Sequence, residues 1–451
     1  MLFIVQMTLY NAVVLYVPSL SLQSVFGISD RVSIGAVGAS CLLYSTVGGI
    51  KAIIWTDFFQ AGLMYSAQLS ICLIGTLQAG GLWKLLEVNR EGARLSLGSN
   101  YFALDLNTRH TIYNMATGAT IINVFMQGAN QIQVQRALSL PSLRLAQWAM
   151  LLTALFVASV YALSNYTGLI LYAAFKDCDP FEAGQVSRRD AILLHYVDSR
   201  LSDIPGLRGI FVAGLFAATL STLSSFQNSM SALVLEDFIR PVWPHLTERQ
   251  TARLSKTLAL GFGLATIGLA FVVGRISGLL QVVLTLFGAL GAPLVGAFLA
   301  GMCTRFVNSA GMTAGMLTGF ALGLYVQFYQ TFELAPLEPS MELSTRGCPS
   351  ANLSLELSTA AGQSTANRQL IQPRMAGDHE LALGAKLGQM SYYWLPTISL
   401  AITMLVAMLA SLLTGGQRRL IDERLLVAWL HRADGAPTCK SIKLASKLGE
   451  I

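Results

Sequence analysis

Residues 211–229 read Phe211-Val-Ala-Gly-Leu-Phe-Ala-Ala-Thr-Leu-Ser-Thr-Leu-Ser-Ser-Phe-Gln-Asn-Ser229, with no ionisable group among them. A helix of about 20 mainly apolar residues, rising about 1.5 Å per residue, crosses the hydrocarbon core of a bilayer. The stretch is therefore read as part of a membrane-spanning helix. Its second half is unusual for one, because Thr219, Ser221, Thr222, Ser224, Ser225 and Ser229 follow in close succession. A single hydroxyl in a membrane helix usually packs a neighbouring helix or bonds the i−4 carbonyl. This run is denser than packing requires. Hydroxyl and carbonyl oxygens are hard, neutral ligands that replace the hydration shell of a monovalent cation such as Na⁺ without gripping it too tightly.

Working outward, nine more apolar runs of membrane length surround it. With residues 209–236 they are 1–26, 31–49, 55–78, 112–131, 145–175, 254–275, 279–302, 308–330 and 391–415. Of the 451 residues, 53% are apolar and only 12% are charged. Soluble domains carry about 25% charged residues. Disordered chains are poorer still in apolar residues. The expected fold class is an all-α polytopic membrane protein with about ten transmembrane helices. The net charge of +6 is then a topology signal rather than a sign of nucleic-acid binding. The short loops 132–144 and 237–253 are basic and nearly free of acids, which predicts that they and both termini are cytoplasmic.

On that orientation the long loops 79–111, 176–208 and 331–390 are extracellular. The last of these contains the glycosylation sequon Asn352-Leu-Ser354, whereas Asn165-Tyr-Thr167 lies inside a span and should stay unmodified. Cys178 and Cys348 are the two cysteines in outer loops. They are read as a disulfide joining two loops, with a pair of free thiols as the alternative.

The spans lack an arginine ladder, a chain of buried carboxylates, a His-rich metal motif, a Ser-His-Asp set and a P-loop. An enzyme or an ATP-driven pump is therefore not expected, and no cofactor is implied. Energy, if used, would come from an ion gradient. The run 112–131 instead carries Thr120, Asn123, Gln127 and Asn130. Amides in an apolar helix need partners. Either they bond between helices, or they line a solute cavity on a discontinuous helix.

Several stretches together resemble the sodium/solute symporter family, in its monocarboxylate and multivitamin branch. They are Leu15-Tyr-Val-Pro-Ser-Leu-Ser-Leu22, Tyr44-Ser-Thr-Val-Gly-Gly-Ile-Lys-Ala-Ile-Ile-Trp-Thr-Asp-Phe-Phe-Gln60, Asn130-Gln-Ile-Gln-Val-Gln-Arg136, Asp177-Cys-Asp-Pro180, Leu220-Ser-Thr-Leu-Ser-Ser225, Leu235-Glu-Asp-Phe-Ile-Arg-Pro241, Phe287-Gly-Ala-Leu-Gly-Ala-Pro293 and Leu413-Thr-Gly-Gly416. The resemblance implies a LeuT-like inverted-repeat core working by alternating access, with solute and Na⁺ near the midplane. On matching positions it implies a sodium site built from the Ala218 carbonyl and the Ser221 and Thr222 hydroxyls. It places Asn123, Met126 and Gln127 at the solute cavity.

The implied organisation assigns 1–78 to the remainder of the first repeat (three helices) and 79–111 to an extracellular loop. The second repeat, of five helices, is 112–302. An additional helix follows at 303–330, then a glycosylated extracellular loop at 331–390, a last helix at 391–415 and a cytoplasmic tail at 416–451. In this alignment the first span matches the family's third core helix. The first core helices would then be missing, and Ala218, Ser221 and Thr222 would form part of a site.

The expected function is Na⁺-coupled import of small organic anions, such as monocarboxylates or biotin- and pantothenate-like vitamins, across the plasma membrane. Its partners would be Na⁺, the anion and the lipid bilayer, with no nucleic acid. The alternatives are a truncated, non-transporting isoform, or a sodium symporter for iodide, choline or a sugar.

Overall fold

The computed structural model describes residues 1–96, 101–108, 110–274, 279–332, 343–345, 347–348 and 390–416. Asn352, most of the loop 331–390 and nearly all of the tail 416–451 lie outside the described residues. The described residues form helices and no strand: α1 Leu2–Phe26, α2 Asp30–Gln78, α3 Leu82–Glu91, α4 Ile112–Val124, α5 Gln131–Leu138, α6 Leu143–Phe175, α7 Ile192–Arg200, α8 Leu207–Val234, α9 Glu248–Val273, α10 Leu279–Leu286, α11 Ala292–Cys303, α12 Ser309–Phe332 and α13 Trp394–Leu413. π-Helical turns occupy Phe125–Ala129, Leu235–Ile239 and Phe287–Gly291.

Among the described residues, eight helices are long and apolar enough to cross a membrane, against the ten expected. The two shortfalls have separate causes. The run 31–49 is absorbed into α2. The Tyr44 hydroxyl nevertheless bonds the Thr56 hydroxyl within this element. Twelve residues along a straight helix would hold them about 18 Å apart, so the axis bends sharply. Contacts fix the sense of each limb. Along the first limb, Gly38 faces Ile267 and Leu42 faces Gly263, antiparallel to α9. Along the second, Asp57 meets Ser221 and Ala67 faces Gly214, antiparallel to α8. α8 is itself antiparallel to α9, with Gln227 near Gly263 and Ser231 at Ser255, so the first limb runs with α8 and the second against it. The other shortfall is 112–131, which is broken into α4, a π turn and α5.

One end of the bundle is marked by the bond between Cys178 and Cys348, whose Cα atoms are 4.8 Å apart. The strand ends around it are tied by Asp179 N–H to the Ser344 carbonyl and Gly347 N–H to the Asp177 carbonyl, both at 2.8 Å. α1 points to this end, where the Tyr16 hydroxyl accepts from Arg188 at 2.6 Å. Large side chains such as Trp55, Phe58, Trp83 and Leu413 stay exposed. In water they would be a liability, but in lipid they face a solvent as apolar as themselves.

Small residues let α12 and α13 approach closely. Gly311, Gly315 and Gly319 recur every fourth position, and a Cβ at each would collide with Ser411, the Thr403 carbonyl and the Thr403 hydroxyl respectively. Close backbone approach substitutes for the hydrophobic driving force that lipid does not supply. Gly315→Leu should lower thermal stability by roughly 1–3 kcal/mol, the cost of overpacking. Gly268→Leu, where a Cβ meets nothing, should leave it nearly unchanged. A thermal melt in nanodiscs compares the two.

Candidate functional site

α8 holds the hydroxyl run because its neighbours supply partners. The Thr222 hydroxyl donates to the Ala218 carbonyl at 3.0 Å, one helical turn back. Two of the three oxygens predicted for the ion therefore lie together, half-buried. Ser221 turns toward α2, and its hydroxyl donates to Asp57 Oδ1 at 2.7 Å. Ser224 donates to the Ser221 carbonyl at 3.2 Å. Thr219 reaches the other way, to the Val14 carbonyl at 3.3 Å.

Asp57 is the residue that sequence reasoning undervalued. In the sequence Asp57 falls near the start of the run 55–78 and Arg136 in the short loop 132–144. The fold joins them: Arg136 donates to Asp57 Oδ2 at 2.6 Å and to the Ser225 hydroxyl at 2.5 Å. The Asp57 side chain is 18% exposed and that of Arg136 48%. The pair thus links the second limb of α2, α5 and the hydroxyl run of α8. The available signal was the rarity of charge: an acid in an apolar helix needs a named partner, and Arg136 was a basic residue within reach of sequence inspection.

The break in 112–131 positions the amides. A Thr111–Asn114 capping box starts α4. Just before it, backbone N–H of Asn107 and the Thr108 hydroxyl hold the Asp105 carboxyl below its usual range. After the π turn Phe125–Ala129, Asn130 is extended, and its side chain caps α5 through the Ile132 N–H at 3.0 Å. π turns leave carbonyls without their regular partners and recur at functional sites.

Asn123 and Gln127 lie on one wall of a cleft of about 520 Å³ between α4 and α6. Gln127 also lines an adjoining cleft of about 500 Å³, together with Asp57 and Arg136. Met126 does not share this wall. It packs against the core cluster that includes Phe125, Phe226 and Phe287, since successive side chains on a helix point about 100° apart. Of the three expected solute contacts, two face the clefts and one faces the core. No group of three or more potential metal-binding His, Cys, Asp or Glu exists among the described residues.

A model of the sodium:solute symporter family matches residues 1–319. A Drosophila melanogaster protein named for sodium-dependent multivitamin transport is 38% identical over 77% of this chain and 58% of its own length. Human sodium-coupled monocarboxylate transporter 1 is 34% identical over 94% of this chain and 69% of its own length. The chain thus spans less than two thirds of the fly protein. A solved structure of a Na⁺-coupled sialic acid symporter, in a substrate-bound outward-open state, superposes with a TM-score of 0.67 at 18% identity, over 91% of this chain and 74% of that one. That likeness concerns the fold.

Proposed function

The chain belongs to the sodium:solute symporter family, and from that premise we propose that it serves Na⁺-coupled import of small organic anions by alternating access. The observation that carries this reading is the Ser221 hydroxyl on the Asp57 carboxylate, which lines a cleft together with Gln127, with the Thr222 hydroxyl on the Ala218 carbonyl next along the same helix. Neutral hard oxygens next to one carboxylate suit a small monovalent cation. The names of the relatives point to monocarboxylate- or vitamin-like solutes.

The anion has two sources of positive potential here. One is the Arg136 guanidinium on the cleft wall. The other is the set of amide donors of Asn123 and Gln127. The break between the two helical pieces follows the general rule that irregular backbone at membrane depth lines a cavity. The basic short loops favour cytoplasmic termini, and import from outside the cell would place the protein in the plasma membrane.

The test is uptake into proteoliposomes of labelled lactate, nicotinate, biotin and pantothenate, with Na⁺ or with choline replacing it. At least one solute should enter at least tenfold faster with Na⁺. Uptake indifferent to Na⁺ replacement would refute the reading. Gln127→Leu should raise KM for that solute about tenfold, the typical effect of losing one polar contact of about 1.4 kcal/mol. Its Na⁺ half-saturation should move much less. Equal shifts in both would place Gln127 with the ion instead.

A further inference from the structure

A separate cavity of about 480 Å³ opens at the disulfide end, between α3, α6 and the loop after α6. It shares no lining residue with the clefts at Asp57. Tyr172 and Phe175 of α6 form an aromatic wall, with Leu193 from α7 beside them. The Arg94 guanidinium lies over the Tyr172 ring, 4.4 Å from its centroid. Lys176 stands exposed among the lining residues.

Arg94, Lys176 and Arg189 line the cavity together with Asp179 and Asp190. Asp179 is occupied, accepting the backbone N–H groups of Phe181 and Glu182 at 2.9 Å. Arg189 is paired with Glu182 at 3.1 Å. The lining also includes a buried amide. Asn89 is 0% exposed, and its Nδ2 donates to the Leu85 and Leu169 carbonyls at 2.8 and 3.1 Å. Its Oδ1 has no hydrogen-bond partner among the described residues.

We propose that this cavity is a second small-molecule site, one that takes an amphipathic carboxylate with an aromatic body. The apolar body lies on Tyr172 and Phe175, and the carboxylate faces Lys176 and Arg94. Its volume and its mainly apolar lining with a few polar groups match ordinary ligand sites. One wall, Leu343 and Ser344, belongs to the segment tied down by Cys178–Cys348. Occupancy is therefore coupled to that disulfide.

Dansylglycine, which carries an aromatic body, one N–H and one carboxylate, is a suitable probe. Titrated into the full chain in nanodiscs, with empty discs subtracted, it should give a saturable rise in fluorescence that is the same in Na⁺ and in choline. Lys176→Glu should weaken binding at least fivefold, whereas Lys176→Arg should retain it. Dansylamide, which lacks the carboxylate, should bind at least fivefold more weakly. Reduction of Cys178–Cys348 should also weaken binding. The proposal is overturned by the absence of a saturable signal, by an unchanged isotherm in Lys176→Glu, or by binding that depends on Na⁺. Because no uptake is measured, its failure leaves the symport reading standing.

Discussion

Ser221→Ala and Thr222→Ala are each expected to reduce Na⁺-dependent uptake at least tenfold, chiefly by raising the Na⁺ concentration needed for half-maximal rate. Each removes one hard oxygen from the proposed ion site. An interaction with a charged group contributes about 1.5–3 kcal/mol, equivalent to roughly a 10- to 150-fold change in affinity. Thr222→Ser keeps the hydroxyl and should behave nearly as the parent. Thr222→Val keeps the shape but not the oxygen, and should match alanine. Ser221→Ala has a second consequence, because it strips a donor from Asp57 Oδ1. Initial rates measured across a Na⁺ series distinguish these variants. An unchanged Na⁺ dependence in both alanine variants would remove the site from α8.

Asp57→Asn should be at least as damaging to uptake. The carboxylate accepts from both Ser221 and Arg136, and amidation leaves the guanidinium with a neutral partner beside the hydroxyl run. The effect on stability is smaller. With Arg136 about half exposed, solvent screens the pair, so roughly 1 kcal/mol is the expected thermal cost. Arg136→Gln should cost a similar amount. The double variant Asp57→Asn/Arg136→Gln should lose less than the sum of the two, since the interaction is removed once. Thermal melts of the four proteins measure that coupling. Strict additivity would show that the pair contributes nothing, and full uptake by Asp57→Asn would separate it from ion binding.

Much of the fold was legible because lipid imposes one requirement on every span. Backbone groups must be satisfied within the segment, so length and apolarity identify helices directly. Hairpin formation by α2 was also legible, as two runs on either side of Lys51. Its reversal shows in the Tyr44–Thr56 bond and in the opposite senses of the two limbs. The dense hydroxyls of α8 likewise singled out this stretch, and the fold gives Ser221 and Ser225 the partners Asp57 and Arg136.

Other features were not legible. Met126 and Gln127 are adjacent in sequence but face the core and the cleft respectively, since neighbours on a helix point about 100° apart and the sequence does not say which direction faces the core. Asp57 and Arg136 are 79 positions apart, and nothing local reveals that α5 brings its arginine to α2. By itself the sequence determined a polytopic helical membrane protein with hydroxyl and amide clusters, because hydrophobic length and residue chemistry are local properties. Only the tertiary structure decided which of those groups meet, because contacts between helices depend on where each helix bends and how it is turned.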